Sequence, residues 1–264
     1  MEVDDQQISK IKKVFLILSG KGGVGKSSVT TQLAFALYEK GYKVGVLDVD
    51  LCGPSIPKMF NLENGVINQS ESGWIPVYYD NEKRLGVISI GFLLNSKSDA
   101  VIWRGPKKNS MIKKFMTDVV WGDLDYLLID TPPGTSDEHL AVMENIRSIN
   151  YSDYSAVLVT TPQNLSVNDV RREITFCHKV GIPITGIIEN MSGFTCPNCK
   201  DCTYLFTRQG GKILAEKSNC TFLGAIPIDP NLTRCIENGL DFLTTLKDSP
   251  CYSNIKEITD KILA

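Results

Sequence analysis

Short apolar runs recur along the chain, and between most of them the apolar residues fall three and four apart. "VFLIL" (14–18) has the composition of a buried strand. Beyond a Gly-rich turn, Val29, Leu33, Ala36 and Leu37 fall at i, i+4, i+7 and i+8, one face of a helix that Gly41 stops. "KVGVLDVD" (43–50), "LGVISIG" (85–91), "YLLID" (126–130), "SAVLVTT" (155–161), "ITGIIEN" (184–190) and "TFLGAIP" (221–227) are further strands. Residues 66–79 form a small hairpin around "SESG", and 250–264 a short helix packed on the body. Strands alternating with helices at this spacing predict an α/β fold, a mostly parallel sheet with helices on both faces. No repeat, low-complexity stretch or linker interrupts the pattern, so 1–264 reads as a single domain.

Composition narrows the function classes. Apolar residues make up 42% of the 264 and charged residues 22%, enough for a buried core. A net charge of −2 argues against a general nucleic-acid binder, which would carry a basic face. The opening "MEVDDQQISK" is acidic and polar rather than a signal peptide, and no apolar run approaches the ~18 residues of a membrane helix. A cytosolic location, with the nucleus as the variant, is the expectation. Thiols stay reduced there, so the eight cysteines read as buried small residues, metal ligands or reactive thiols rather than as disulfides.

The strongest motif is "SGKGGVGKSS" (19–28), which places Gly20, four residues, then Gly25-Lys26-Ser27 between a strand and a helix. Gly20, Gly22, Gly23 and Gly25 let the backbone of Gly20 to Ser28, with Lys21 and Val24, wrap so that N–H groups face phosphate oxygens. Lys26 neutralises the β- and γ-phosphates of ATP, and the Ser27 hydroxyl ligates Mg²⁺. Lys21, a second lysine early in the loop, marks the deviant Walker A type of P-loop NTPase and brings extra positive charge to the transferring phosphoryl group. "YLLIDTPPG" (126–134) runs an apolar strand into Asp130, a Walker B carboxylate for Mg²⁺, and Gly134 sits in the turn beyond. Asp48 and Asp50 close the neighbouring strand, and period-two spacing puts both on one side of it. Of the two, Asp50 is the residue expected to orient the attacking water.

"TCPNCKDC" (195–202) spaces Cys196, Cys199 and Cys202 two residues apart. The spacing suits a metal, a redox disulfide or an iron–sulfur cluster, and falls one ligand short of a four-thiolate site. Zinc between two C-x-x-C pairs from two chains fits as well as a cluster does.

"GKGGVGKS", "DVDLCGPSIP", "WRGP" (103–106), "DTPPGTSDEH" (130–139), "VTTPQ" (159–163) and "ENMSGFTCPNC" (189–199) together resemble the Mrp/ApbC/Nbp family of P-loop ATPases, which act as iron–sulfur cluster scaffolds or carriers. The likeness covers about residues 12–240 and is greatest to the smaller of two paired scaffold subunits of the eukaryotic cytosol. The larger subunit carries a four-cysteine extension that holds its own cluster; with Cys52 the first cysteine, this chain is not expected to carry that second cluster. The resemblance implies that Lys21 reaches across a dimer to the other subunit's nucleotide. It implies that Asn190 holds adenine. It also implies that Cys196 and Cys199, the C-P-x-C pair, give two of the four ligands of a labile [4Fe–4S] cluster bridging two subunits. Cys202 lies outside that pair. The implied partners are a larger paralogous subunit, a second copy of the chain, and recipient apo iron–sulfur proteins.

Two other ATPase classes share the loop. A targeting ATPase for tail-anchored proteins needs a Met-rich groove, and only six methionines occur. A positioning ATPase on membrane or DNA needs a basic tail, whereas "SNIKEITDKILA" has mixed charge. A dehydrogenase would need a different glycine loop.

Overall fold

The computed structural model describes residues 11–51, 53–93, 105–135, 137–148, 153–195 and 202–264. In chain order the elements are β1 (Ile11–Leu18), α1 (Lys26–Glu39), β2 (Val44–Asp48), α2 (Ile56–Met59), β3 (Asn68–Ser70), β4 (Gly73–Ile75), β5 (Val77–Tyr78), β6 (Leu85–Ser89), a 3-10 turn (Ile90–Leu93), α3 (Gly105–Thr117), β7 (Leu124–Asp130), α4 (Asp137–Ser148), β8 (Tyr154–Thr160), α5 (Asn164–Val180), β9 (Ile184–Thr195), β10 (Cys202–Thr203), α6 (Gly210–Lys217), β11 (Phe222–Ile228), α7 (Pro230–Glu237), α8 (Phe242–Thr245) and α9 (Pro250–Leu263).

Val14 to Leu18 are buried without a break, as a strand covered on both faces requires. β1 lies in the middle of a parallel sheet ordered β11-β9-β8-β1-β7-β2-β6. β5 closes the β6 edge and β10 pairs with the end of β9, both antiparallel. Side chains of β1 alternate between two cores. Val14, Leu16 and Leu18 join Ile112 and Phe115 of α3, Val142 of α4 and Ile174 of α5. Phe15 and Ile17 join Leu33 and Leu37 of α1 and Ile255 and Ile258 of α9. Each such fully buried side chain stabilises the fold by about 1.5–3 kcal/mol.

α1 departs from the one-sided helix that its spacing predicts: every residue from Val29 to Leu37 is buried. The helix is clamped between the sheet and α2, α8 and α9, so its second side is covered as well. The predicted hairpin is β3–β4, with Ser70 Oγ donating to the Gly73 carbonyl. The tail is α9, opened by Pro250 and by the Ser249 hydroxyl, which accepts from the Cys251 amide. Among the described residues no helix is long and apolar enough to cross a membrane.

Register places the site. Asp130, the last residue of β7, pairs with Ile17 of β1 and with Asp48 of β2. The carboxyl ends of three adjacent parallel strands thus open together beside the loop after β1, where α/β sheets hold their ligands. Four cysteines are spent on packing. Cys177, Cys235 and Cys251 are buried and Cys220 is half-buried. Burial pushes the Cys177 and Cys251 thiols up to about 12 and raises those of Cys220 and Cys235. Cys52, Cys196 and Cys199 lie outside the described residues.

Candidate functional site

The loop from Gly20 to Ser28 joins β1 to α1 through two left-handed glycines, Gly23 (φ 79°) and Gly25 (φ 81°). Gly25 is the residue that caps α1, so the loop amides and the helix N-terminus share one concavity. Close approach requires glycine at two positions. A β-carbon on Gly20 would overlap the Asp169 backbone of α5, and one on Gly25 would overlap the Asn190 amide. Ser19, residues 21–28, Asp50, Ser55, Met59 and Pro133 line a cleft of about 190 Å³.

At its floor, Lys26 Nζ lies 2.7 Å from Asp130 Oδ2. Ser27 Oγ donates to the same oxygen at 2.7 Å, and Thr30 Oγ1 donates to Oδ1 at 2.6 Å. Asp130 is fully buried. A hydroxyl and a carboxylate in contact are the hard oxygen donors that Mg²⁺ takes, and the adjacent lysine and loop amides suit phosphate. Thr30 is a partner that the motif does not announce. It follows Lys26 by four residues, one turn along the same helix face.

Asp48 and Asp50 part company. β2 ends at Asp48, so the expected placement of both carboxylates on one side of a strand does not hold. Asp48 is fully buried, accepts from Ser89 Oγ at 2.8 Å and from the Asp50 amide at 3.1 Å, and faces Asp130. Burial, and then the Asp130 charge, push its carboxyl well above the usual range. Asp50 lies two residues beyond the strand end, lining the cleft.

Lys21 Nζ donates to Gln163 Oε1 at 3.3 Å, which ties the loop to the cap of α5. Gln163 ends the "VTTPQ" run and is a contact that the sequence does not single out. Gly134 (φ 78°) donates its amide to the Ser19 carbonyl at 2.7 Å, so the turn after β7 is fastened to the start of the loop.

Asn190 is nearly buried and donates its side-chain amide to the Val24 carbonyl at 2.9 Å. It therefore stands directly against the phosphate loop. β9 does not stop there but continues to Thr195, where Cys202 pairs back on it. Cys196 and Cys199 follow that strand directly in sequence.

The comparisons agree with this geometry. The family model described as NUBPL iron-transfer P-loop NTPase matches residues 10–263. The chain is similar to a protein of Nematostella vectensis named cytosolic Fe-S cluster assembly factor NUBP2 homolog, 58% identical over 97% of this chain and 94% of the relative. It is 52% identical to the human cytosolic Fe-S cluster assembly factor NUBP2, over 97% and 94% of the two chains. Among solved structures, a nucleotide-binding protein in complex with ADP from Archaeoglobus fulgidus superposes with a TM-score of 0.80, 39% identity and 96% coverage of both chains. The Pyrococcus furiosus cell division ATPase MinD shares the fold, with a TM-score of 0.68 and 23% identity over 96% of this chain and all of that one. With its loop, its paired hydroxyl and carboxylate and its full-length match, the chain belongs to the family of NUBPL-type iron-transfer P-loop NTPases.

Proposed function

We propose that this protein is a cytosolic iron–sulfur cluster assembly ATPase, which holds a labile [4Fe–4S] cluster between two subunits and passes it to apoproteins. One observation carries the reading: Lys26, Ser27 and Thr30 close on Asp130 in a chain of the iron-transfer family. The cluster is cargo, and the thiolates of Cys196 and Cys199 hold it. Two per chain from two chains make the four that such a cluster takes. The whole of 1–264 acts as a single unit.

The loop amides and Lys26 grip the phosphates of ATP, and Asn190 is set beside the loop for the base. Ser27 and Asp130 hold Mg²⁺, which when bound neutralises charge on the β- and γ-oxygens. Asp50 orients water for attack on the γ-phosphorus. Lys21, held by Gln163 in the single chain, turns to the nucleotide of the second subunit.

That subunit is a larger paralogue or a second copy. The surface supports an association on this side of the molecule. Leu205 (59% exposed) and Phe206 follow β10, Leu165 (66%) opens α5, and Ile213 lies on α6. The Thr207 hydroxyl meets the Pro162 carbonyl, which joins this apolar group to the Gln163 that holds Lys21.

Anaerobic reconstitution with iron and sulfide tests the proposal. The expected outcome is a brown, oxygen-sensitive protein with about four irons and four sulfides per pair of chains. Light scattering should show a complex of two chains. Stoichiometric zinc without sulfide, or a monomer that keeps a full cluster, would refute it.

A further inference from the structure

The backbone of Asp130 is fixed by the sheet. It pairs in register with Ile17 and with Asp48, and its carbonyl accepts from the Val49 amide at 2.9 Å. What remains to be set is the turn of its carboxylate, and the donors divide between the two oxygens. Lys26 Nζ and Ser27 Oγ both lie 2.7 Å from Oδ2. Thr30 Oγ1 donates to the other oxygen, Oδ1, at 2.6 Å. Thr30 and Asp130 are both fully buried. The threonine hydroxyl also lies 3.1 Å from the Lys26 carbonyl, in the rotamer that reaches one turn back along a helix. Its oxygen is therefore seated between the helix and the carboxylate. Nucleotide asks different things of the three donors. Lys26 turns to phosphate and Ser27 to the metal ion. Thr30 stands one turn further along α1, out of reach of solvent, and keeps Oδ1 throughout.

We propose that Thr30 is a positioning residue for Asp130: by holding Oδ1 it leaves the carboxylate a single oxygen, Oδ2, to offer a cation, and so makes the site select Mg²⁺ over Ca²⁺. The inference rests on the reading above that Ser27 and Asp130 hold the metal ion. Mg²⁺ is small and demands near-ideal octahedral geometry, which one oxygen of a fixed carboxylate suits. Ca²⁺ takes more oxygens at longer distances and readily accepts both from one carboxylate. Without the threonine hydroxyl, Oδ1 would be an unpaired acceptor in a dry floor, a costly state. The carboxylate would relieve it by turning both oxygens to the cation, which favours the larger ion.

Calorimetric titration of the full-length chain with ATP, in excess Mg²⁺, in excess Ca²⁺ and in a chelator, is the test. The unmodified chain should bind ATP about tenfold more tightly with Mg²⁺ than with Ca²⁺. Thr30→Val keeps the shape of the side chain and removes the donor. It should weaken binding with Mg²⁺ about tenfold, the scale of a hydrogen bond to a charged group, and leave binding with Ca²⁺ within about twofold. The preference then falls close to one. Thr30→Ser, which keeps the hydroxyl, should retain most of it. A merely structural role would lower both affinities together and leave their ratio alone. Should Thr30→Val fail to fold, Thr30→Cys, whose thiol is only a weak donor, decides in its place with the same expected loss of preference. A preference that survives in full in the folded variant, or an unmodified chain that does not distinguish the two ions, would overturn the proposal. Failure of the underlying metal assignment would look different: ATP affinity in the unmodified chain would be the same in chelator as with either ion, and the proposal would fall with it.

Discussion

Lys26 Nζ and Asp130 Oδ2 lie 2.7 Å apart, with the two side chains 6% and 1% exposed. Before any phosphate arrives, the cleft floor is thus electrically closed. A buried cation and a buried anion satisfy each other, and two hydroxyls satisfy what remains of the carboxylate. Binding exchanges this internal pair for phosphate on the lysine side and a metal ion on the carboxylate side.

Lys26→Ala should therefore do more than abolish nucleotide binding. It leaves a buried carboxylate with only hydroxyl donors. The expected effects are a loss of ATP affinity of about a hundredfold or more and a stability loss of about 2 kcal/mol. Nucleotide titration and urea unfolding of the purified variant measure the two. Unchanged ATP affinity would remove the loop from the mechanism.

Lys21→Ala should separate binding from turnover. Its partner in the single chain is Gln163, outside the cleft floor, so ATP affinity should stay within about threefold while hydrolysis falls at least tenfold in the assembled form. Steady-state hydrolysis across a range of protein concentrations checks this. A defect that is the same in a forced monomer would rule out action across the interface.

Asp50→Asn should lower hydrolysis about a hundredfold and leave ATP affinity nearly unchanged, because Asp50 lines the cleft while Lys26, Ser27 and Thr30 close on Asp130. Asp48→Asn is the control. That group is already pushed towards its neutral form by burial, and an amide can keep its bonds to Ser89 and to the Asp50 amide. Single-turnover hydrolysis should rank the Asp50 variant well below the Asp48 variant.

Cys196→Ser and Cys199→Ser should each bring iron and sulfide near background, with ATP binding retained. Cys202→Ser should keep most of the iron, because on the proposed ligand set two thiolates per chain fill the four positions. Equal iron loss in all three variants would show that Cys202 belongs to the ligand set.

Glu173 sets a pH dependence of stability. Its Oε2 has no hydrogen-bond partner among the described residues, and burial first, then Asp169, raise its carboxyl from 4.5 to about 7. Between those values the folded chain holds a proton that the unfolded chain has released, so stability falls as pH rises through this window and levels off above it. Glu173→Gln should flatten the slope and add on the order of 2 kcal/mol at pH 8. Urea unfolding at pH 5 and pH 8 reads it, and an unchanged slope would refute it.

The strands were legible because burial on both faces writes itself as unbroken apolar runs, as in Val14–Leu18. The phosphate loop was legible because its chemistry demands glycine at fixed places. The two-sided burial of α1 was not, since Gln32, Thr30 and Thr31 are buried polar residues that read as a solvent face. Nor was the run of β9 beyond Asn190. Ser192 and Gly193 break the apolar pattern there, while backbone pairing of Phe194 with Ile228 and with Thr203 carries the strand onward. The partners Gln163 of Lys21 and Gly211 of Glu189 lie 142 and 22 residues away, distances at which no local spacing rule operates. Asp48 closes β2 as its pattern implies, but Asp50 lies beyond the strand, where period two no longer applies.

The burial of Cys177, Cys235 and Cys251 has a consequence for how the protein meets iron. A thiol binds metal or reacts with electrophiles only as the thiolate, and with the Cys177 and Cys251 groups pushed up to about 12 almost none is present at neutral pH. These side chains cannot scavenge free ferrous iron, form mixed disulfides with glutathione, or compete with a bound cluster for its own metal. The packing sulfur is thus chemically silent, and adventitious iron should not be found on Cys177, Cys235 or Cys251 even under a large excess of the free ion.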